Sequence, residues 1–211
     1  LRRNRIELLD LSFLRPKRFL DGTSSFTELA WDAAGTTLVT GNIGGEVGLY
    51  KLEDGRQRLV TPALPDTISA VTLTPSGREL IACDISGQIR RIRVRDGAVL
   101  EALAVDAHAL AAAALEDLFV TAHRDGVLRV WAAGAGGEAR AIGEHGRRID
   151  DVQTSEDGAV LLTRVRRTLS LRDPTSGLVL ASHKLGSQEK AFGGKSEADL
   201  ARELNALFAS F

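Results

Sequence analysis

Glycines recur along this chain in three registers with a period near 40 residues, and that period limits the fold more than any other feature. Gly35 to Gly77 is 42 residues, and Gly77 to Gly158 is 81, close to two periods. Gly45 to Gly87 is 42 and Gly87 to Gly126 is 39. Gly55, Gly97, Gly137 and Gly177 follow one another at 42, 40 and 40. One such series can arise by chance. Three in phase mark an internal repeat. Four units then line up, over residues 26–55, 68–97, 108–137 and 149–177.

Each unit reads as four short strands separated by turns. Runs such as TTLVTG, RELIAC, LFVTA and AVLLT are rich in Val, Leu, Ile and Thr, and Gly, Asp, Ser and Pro punctuate them. Glycine suits these turns because it accepts positive φ without a Cβ clash. No segment before residue 196 has a sustained helical period. The run Ala111–Ala114 has high helix propensity, but in phase it is the first strand of the third unit, so tertiary context is expected to override propensity there.

A period near 40 with four short strands resembles the WD40 repeat. The third unit carries the best match. His108 sits at the family's Gly-His histidine, with Ala107 in place of the glycine. Thr121 lies on the second strand, Asp125-Gly126 form the tight turn, and Val127–Trp131 match the third strand, although Ala132 replaces the final aspartate. The fourth unit offers His145, with Ile149 and Val152 at the family's apolar spacing, and Leu171-Arg172-Asp173 with Arg172 in place of the tryptophan. Thr74-Pro75-Ser76-Gly77 resembles the Ser-Pro-Asp-Gly turn, and Tyr50 falls at the tryptophan position of the first unit. Kelch repeats match less well, because their period is nearer 50. The resemblance covers residues 26–186. It implies an all-β, WD40-like β-propeller in which His108, Thr121, Asp125 and Trp131 form a structural hydrogen-bonded tetrad fixing the turn against the strands.

Residues 1–25 add a partial blade. RIELLDL reads as a third strand and Lys17–Asp21 as a fourth, giving about four and a half visible blades. Propellers close with 4–8 blades so that no long edge stays unpaired. The 211 residues include no methionine and begin at Leu1. Both facts lead us to expect upstream blades or a partner chain to complete the ring; a compact ring from this chain alone is the competing arrangement. Residues 187–195 read as a linker and 196–211 as a C-terminal amphipathic α-helix, with Leu200, Leu204, Leu207, Phe208 and Phe211 on one stripe. A helix of this length is marginal alone. Its stripe either packs on the propeller rim or an absent domain, or docks in a partner's groove.

Signals for chemistry are sparse. There is no G-x-S-x-G, no H-E-x-x-H and no G-x-x-x-x-G-K-S/T. His108, His123, His145 and His183 make no metal-ligand spacing with Cys83. His123 is expected to be exposed beside its turn, and Cys83 to be a small core residue. No cofactor or metal is expected. Arginine is the exception. Arg90, Arg91, Arg93 and Arg95 crowd one strand and its end, Arg147 and Arg148 follow His145, and Arg164, Arg166 and Arg167 flank a turn. Such residues suit a basic interaction patch, or else solvated strand edges that resist pairing. Against nucleic acid stand a net charge of −1 and only 5% aromatic residues. No apolar run approaches the roughly 20 residues that span a bilayer.

The sequence thus predicts a non-catalytic, cytoplasmic propeller serving as a protein–protein interaction scaffold, with other chains or upstream blades as partners. The alternatives are a sensor or regulatory propeller attached to a signalling ATPase or protease, and a nucleic-acid-binding propeller using its arginines.

Overall fold

The computed structural model describes residues 5–10, 15–21, 24–53, 56–60, 64–134, 139–144, 146–155 and 158–185. All regular structure among them is β. The predicted linker and C-terminal helix lie outside the described residues.

An antiparallel hairpin of β1 (Arg5–Asp10) and β2 (Arg15–Asp21) comes first. Four four-stranded antiparallel sheets follow, each a simple meander in chain order. Sheet one holds β3 (Phe26–Trp31), β4 (Thr37–Asn42), β5 (Val47–Lys51) and β6 (Gln57–Val60). Sheet two holds β7 (Ile68–Leu73), β8 (Glu79–Asp84), β9 (Gln88–Arg93) and β10 (Val99–Ala104). Sheet three holds β11 (Ala109–Ala114), β12 (Leu118–His123), β13 (Val127–Ala132) and β14 (Ala139–Glu144). Sheet four holds β15 (Asp151–Thr154), β16 (Leu161–Val165), β17 (Thr168–Arg172) and β18 (Val179–Lys184). The sheets do not close into a barrel.

Period-2 alternation sends successive side chains of each strand to opposite faces, and sheets two and three meet a neighbour on both faces. Val39, Val47 and Leu49 of sheet one pack on Val71, Leu80 and Ile92 of sheet two. Ile81, Cys83 and Ile89 on the other face of sheet two meet Phe119 and Trp131 of sheet three. Val120, Leu128 and Val130 on its far face meet Val152 and Leu161 of sheet four. The hairpin covers Leu38 and Tyr50 of sheet one through Leu20, with Ile6 and Leu8 beside them. First strands stand side by side, β3 next to β7, β7 next to β11 and β11 next to β15. The alanine strand β11 is enclosed on both sides, with Ala114 in one core and Ala113 in the other. Small side chains allow that close approach, and burial on both faces outweighs the helix propensity of the run.

The turns between second and third strands repeat one device. Gly45, Gly87 and Gly126 have φ of 77°, 87° and 83°. A Cβ on Gly45 would run into the Leu64 carbonyl oxygen, and one on Gly87 into that of Val105. The connector to the next sheet thus lies against the turn, donating Leu64 N–H to the Gly45 carbonyl at 2.8 Å and Val105 N–H to that of Gly87 at 3.0 Å. Only glycine satisfies both the left-handed backbone and the contact.

Candidate functional site

In sheet three a buried hydrogen-bond chain ties the third strand to the loop before the first. Trp131 Nε1–H donates to Thr121 Oγ1 at 2.8 Å. Thr121 Oγ1 lies 2.7 Å from His123 Nε2, and His123 Nδ1 lies 3.1 Å from the Ala107 carbonyl oxygen. A carbonyl only accepts, so Nδ1 carries the proton. Burial holds His123 below the usual histidine range, aided by Arg129 and His108 and opposed by the Ala107 hydrogen bond and Asp125. The ring is therefore neutral, Nε2 accepts, and the Thr121 hydroxyl donates to it. Trp131 also stacks on Phe119, with centroids 5.9 Å apart and planes within 11°.

Two expectations are corrected here. His123 is fully buried rather than exposed, because it lies two residues from Thr121 on one strand and so faces the same core. It also occupies the place expected of His108. His108 is half-buried, and its backbone carbonyl takes the Arg124 N–H at 2.9 Å. Asp125 does not join the chain; it pairs with Arg129 at 2.6 Å and caps Val127 N–H at 3.0 Å. Burial is the largest single effect on its carboxyl and raises it, but the hydrogen bonds from Arg129 and the Val127 N–H, with the Arg129 charge, together hold it below the usual range. His145 lies outside the described residues.

The same register positions differ from sheet to sheet. His123 aligns with Asn42, Asp84 and Val165. Asp84, fully buried, accepts from Ser86 and Gln88 N–H groups at 2.9 Å, and Asn42 accepts from Gly44 and Glu46 N–H groups at 2.9 and 3.0 Å. Trp131, paired with Phe119, aligns with Arg172, paired with Leu161. Arg172 is only 8% exposed and donates from Nε to Thr163 Oγ1 at 3.4 Å. These side chains brace turns. Thr121 and His123 pair a hydroxyl with an imidazole, but both are fully buried.

The sequence-predicted arginines fall into two groups at opposite ends of the sheets. Arg91 is held between Glu79 at 2.7 Å and Glu101 at 2.6 Å, and Arg90 beside it on β9 is half-buried. Arg93 and Arg95 both reach Asp96, at 3.0 and 3.3 Å, in the turn that follows β9. Arg147, Arg148, Arg166 and Arg167 lie at the other end, exposed in the turns of sheets three and four. The first group is an ion-paired strand end and does not join the second in one patch. Arg164 is exposed on β16.

The four first strands surround a cavity of about 580 Å³, lined by Ala30, Thr72, Ala112, Ala114, Val152 and their neighbours. Burial lifts the Glu28 carboxyl of β3 above its usual range, and the charge of Asp151 on β15 adds to the rise. Trp31 also lines this cavity, and β3 is the least covered of the four first strands. Leu29 and Trp31 are 49% and 50% exposed, whereas Val71 and Leu73 at the same register of sheet two are each 8% exposed. The hairpin packs on Leu38 of β4 and Tyr50 of β5, and among the described residues no strand pairs with the free edge of β1.

Cys83 is buried, and its environment strongly opposes thiolate formation through burial and the charge of Asp84. Among the described residues, no group of three or more His, Cys, Asp or Glu is placed to hold a metal ion, and no helix is long and apolar enough to cross a membrane. The stripe of Leu200, Leu204, Leu207, Phe208 and Phe211 lies outside them. Arg124, beside Arg147, was missed by sequence reasoning; its place next to the Asp125-Gly126 turn was the available signal.

No protein-family model and no curated protein matches this chain. Among solved structures, the computationally designed protein Ika8 has a similar fold, with a TM-score of 0.72 at 19% identity, covering 88% of this chain. The match takes in 57% of Ika8, so this chain spans little more than half of that protein's length. At this identity the likeness concerns the fold alone.

Proposed function

We propose that this chain is a run of WD40-like propeller blades whose work is to bind other protein chains. Four meander units with adjacent first strands around one cavity support the propeller reading. The observation that carries the binding role is the exposed face of β3. Val71 and Leu73, the equivalent residues of sheet two, are each 8% exposed against sheet one, yet Leu29 and Trp31 stand about half exposed beside a hairpin of only two strands. Exposed apolar faces and free strand edges of this kind are avoided by self-sufficient domains. Two further strands along β1 would cover both residues and satisfy the edge, from a partner protein or from further blades of the same polypeptide.

Native mass spectrometry of the protein recovered from its source tests this. A larger assembly or polypeptide is expected, and a free species of 22.6 kDa would overturn the reading. The double variant Leu29→Glu, Trp31→Glu should weaken the association by about tenfold or more. It should leave the melting of the isolated chain nearly unchanged, because both side chains are already exposed there.

A further inference from the structure

Three segments meet at one end of sheets three and four, and each brings arginine. Arg124 opens the turn between β12 and β13. Arg147 and Arg148 lie in the loop from β14 to β15. Arg166 and Arg167 form the turn between β16 and β17. All five are exposed. The segments are in contact. A Cβ on Gly126 would sit 2.5 Å from the Arg147 carbonyl oxygen and 2.9 Å from its nitrogen. Asp150 accepts from Arg148 Nε at 3.2 Å through one carboxylate oxygen and from the Arg166 N–H at 2.6 Å through the other.

The described acids of these turns are already engaged. The acids among the described residues of these turns are Asp125 and Asp150. Asp125 is already held by Arg129, and Asp150 by Arg148 and the Arg166 backbone. The whole chain carries a net charge of −1, so the positive excess here is segregated rather than shared. The matching turns of sheets one and two present Ile43 and Ile85, 55% and 39% exposed, and their connectors carry exposed Asp66 and Asp106. One half of the rim is therefore basic and the other apolar to acidic.

We propose that the rim formed by Arg124, Arg147, Arg148, Arg166 and Arg167 binds an acidic peptide segment of a partner protein. This rests on the reading of the chain as a protein-binding module and names the chemistry of its partner. Guanidinium groups present planar forks that match carboxylates two bonds at a time. Nucleic acid fits less well. Among the described residues these turns contain no Phe, Tyr or Trp on which a base could stack, and the acidic remainder of the chain opposes a long polyanion. Each contact is solvent-exposed and weak on its own. Binding therefore depends on several arginines at once and weakens with salt.

The test is fluorescence anisotropy of the full chain with a labelled hexaglutamate peptide, and with a single-stranded oligonucleotide of equal charge, at low and high salt. Hexaglutamate should bind at low salt and release at high salt. The double variant Arg147→Glu, Arg166→Glu should weaken it by about tenfold or more, with an unchanged melting temperature. Arg93→Glu with Arg95→Glu, at the opposite end, should leave it unchanged. No binding at low salt, an equal loss from the Arg93/Arg95 variant, or tighter binding of the oligonucleotide would each overturn the proposal. The Leu29/Trp31 experiment is independent of these arginines. Association that depends on β3 but no hexaglutamate binding would sink the rim alone.

Discussion

Thr121 and Thr163 stand at the same register of sheets three and four, opposite Arg129 and Ser170, and each receives an N–H from the third strand. In sheet three the donor is an indole at 2.8 Å, stacked on Phe119. In sheet four it is the Arg172 guanidinium at 3.4 Å, which also donates to the Gly177 carbonyl oxygen at 2.9 Å. The turns diverge with the donors. Sheet three buries His123 and braces the preceding loop through Ala107. Sheet four has Val165 there and closes in two residues, with Arg166 at φ 54°. Sheets three and four thus share a donor aimed at a strand threonine, supplied by different residues, whereas sheet two has Ala82 and Ile92 at these positions. Sheet three is the more fully braced of the two.

Trp131→Ala should break that difference most severely. It removes a buried, stacked ring and leaves a cavity, so the chain should lose about 4 kcal/mol in a denaturant titration. Thr121→Val should cost about 2 kcal/mol, because the indole N–H and the imidazole Nε2 both lose their partner in the core. Thr163→Val should cost about 0.5 kcal/mol, since its contacts at 3.4 Å are long. Equal losses from the two valine variants would refute the asymmetry. Arg172→Met should cost about 1 kcal/mol by thermal melting, the lost Gly177 hydrogen bond being partly offset by relief of a buried charge.

The shallowest effect is on pH. The folded state holds His123 below its ordinary value of 6.5. Stability from keeping it neutral is complete above that value. It is lost as pH falls, because the unfolded chain binds the proton more readily. A denaturant midpoint followed from about pH 7 to about pH 5 should fall more steeply for the native protein than for His123→Asn. Parallel curves would show that His123 is not buried in its neutral form.

Much of the architecture was legible in the residues. Gly45, Gly87 and Gly126 mark turns because positive φ is a local demand. The Thr121–Trp131 pair could be read because its spacing follows from one hairpin. His123 was misread because its exposure was judged from the nearby turn. Its spacing of two from Thr121 already placed it on the buried face. Arg91 looked like a surface group until Glu79 and Glu101, from the two flanking strands, were seen to enclose it.

The repeat, its turns and the alternation along each strand follow from residue order, since all of these depend on neighbours within a few residues. Which alternating faces are covered follows from the stacking of the sheets. Leu29 and Val71 occupy equivalent positions, and one is bare while the other is buried, because burial depends on the sheet that stands opposite. Tertiary structure likewise separated Arg93 and Arg95 from Arg147 and Arg166, setting them at opposite ends of the sheets. The reason is that strand direction and sheet stacking, which are non-local, set where a charge finally lies.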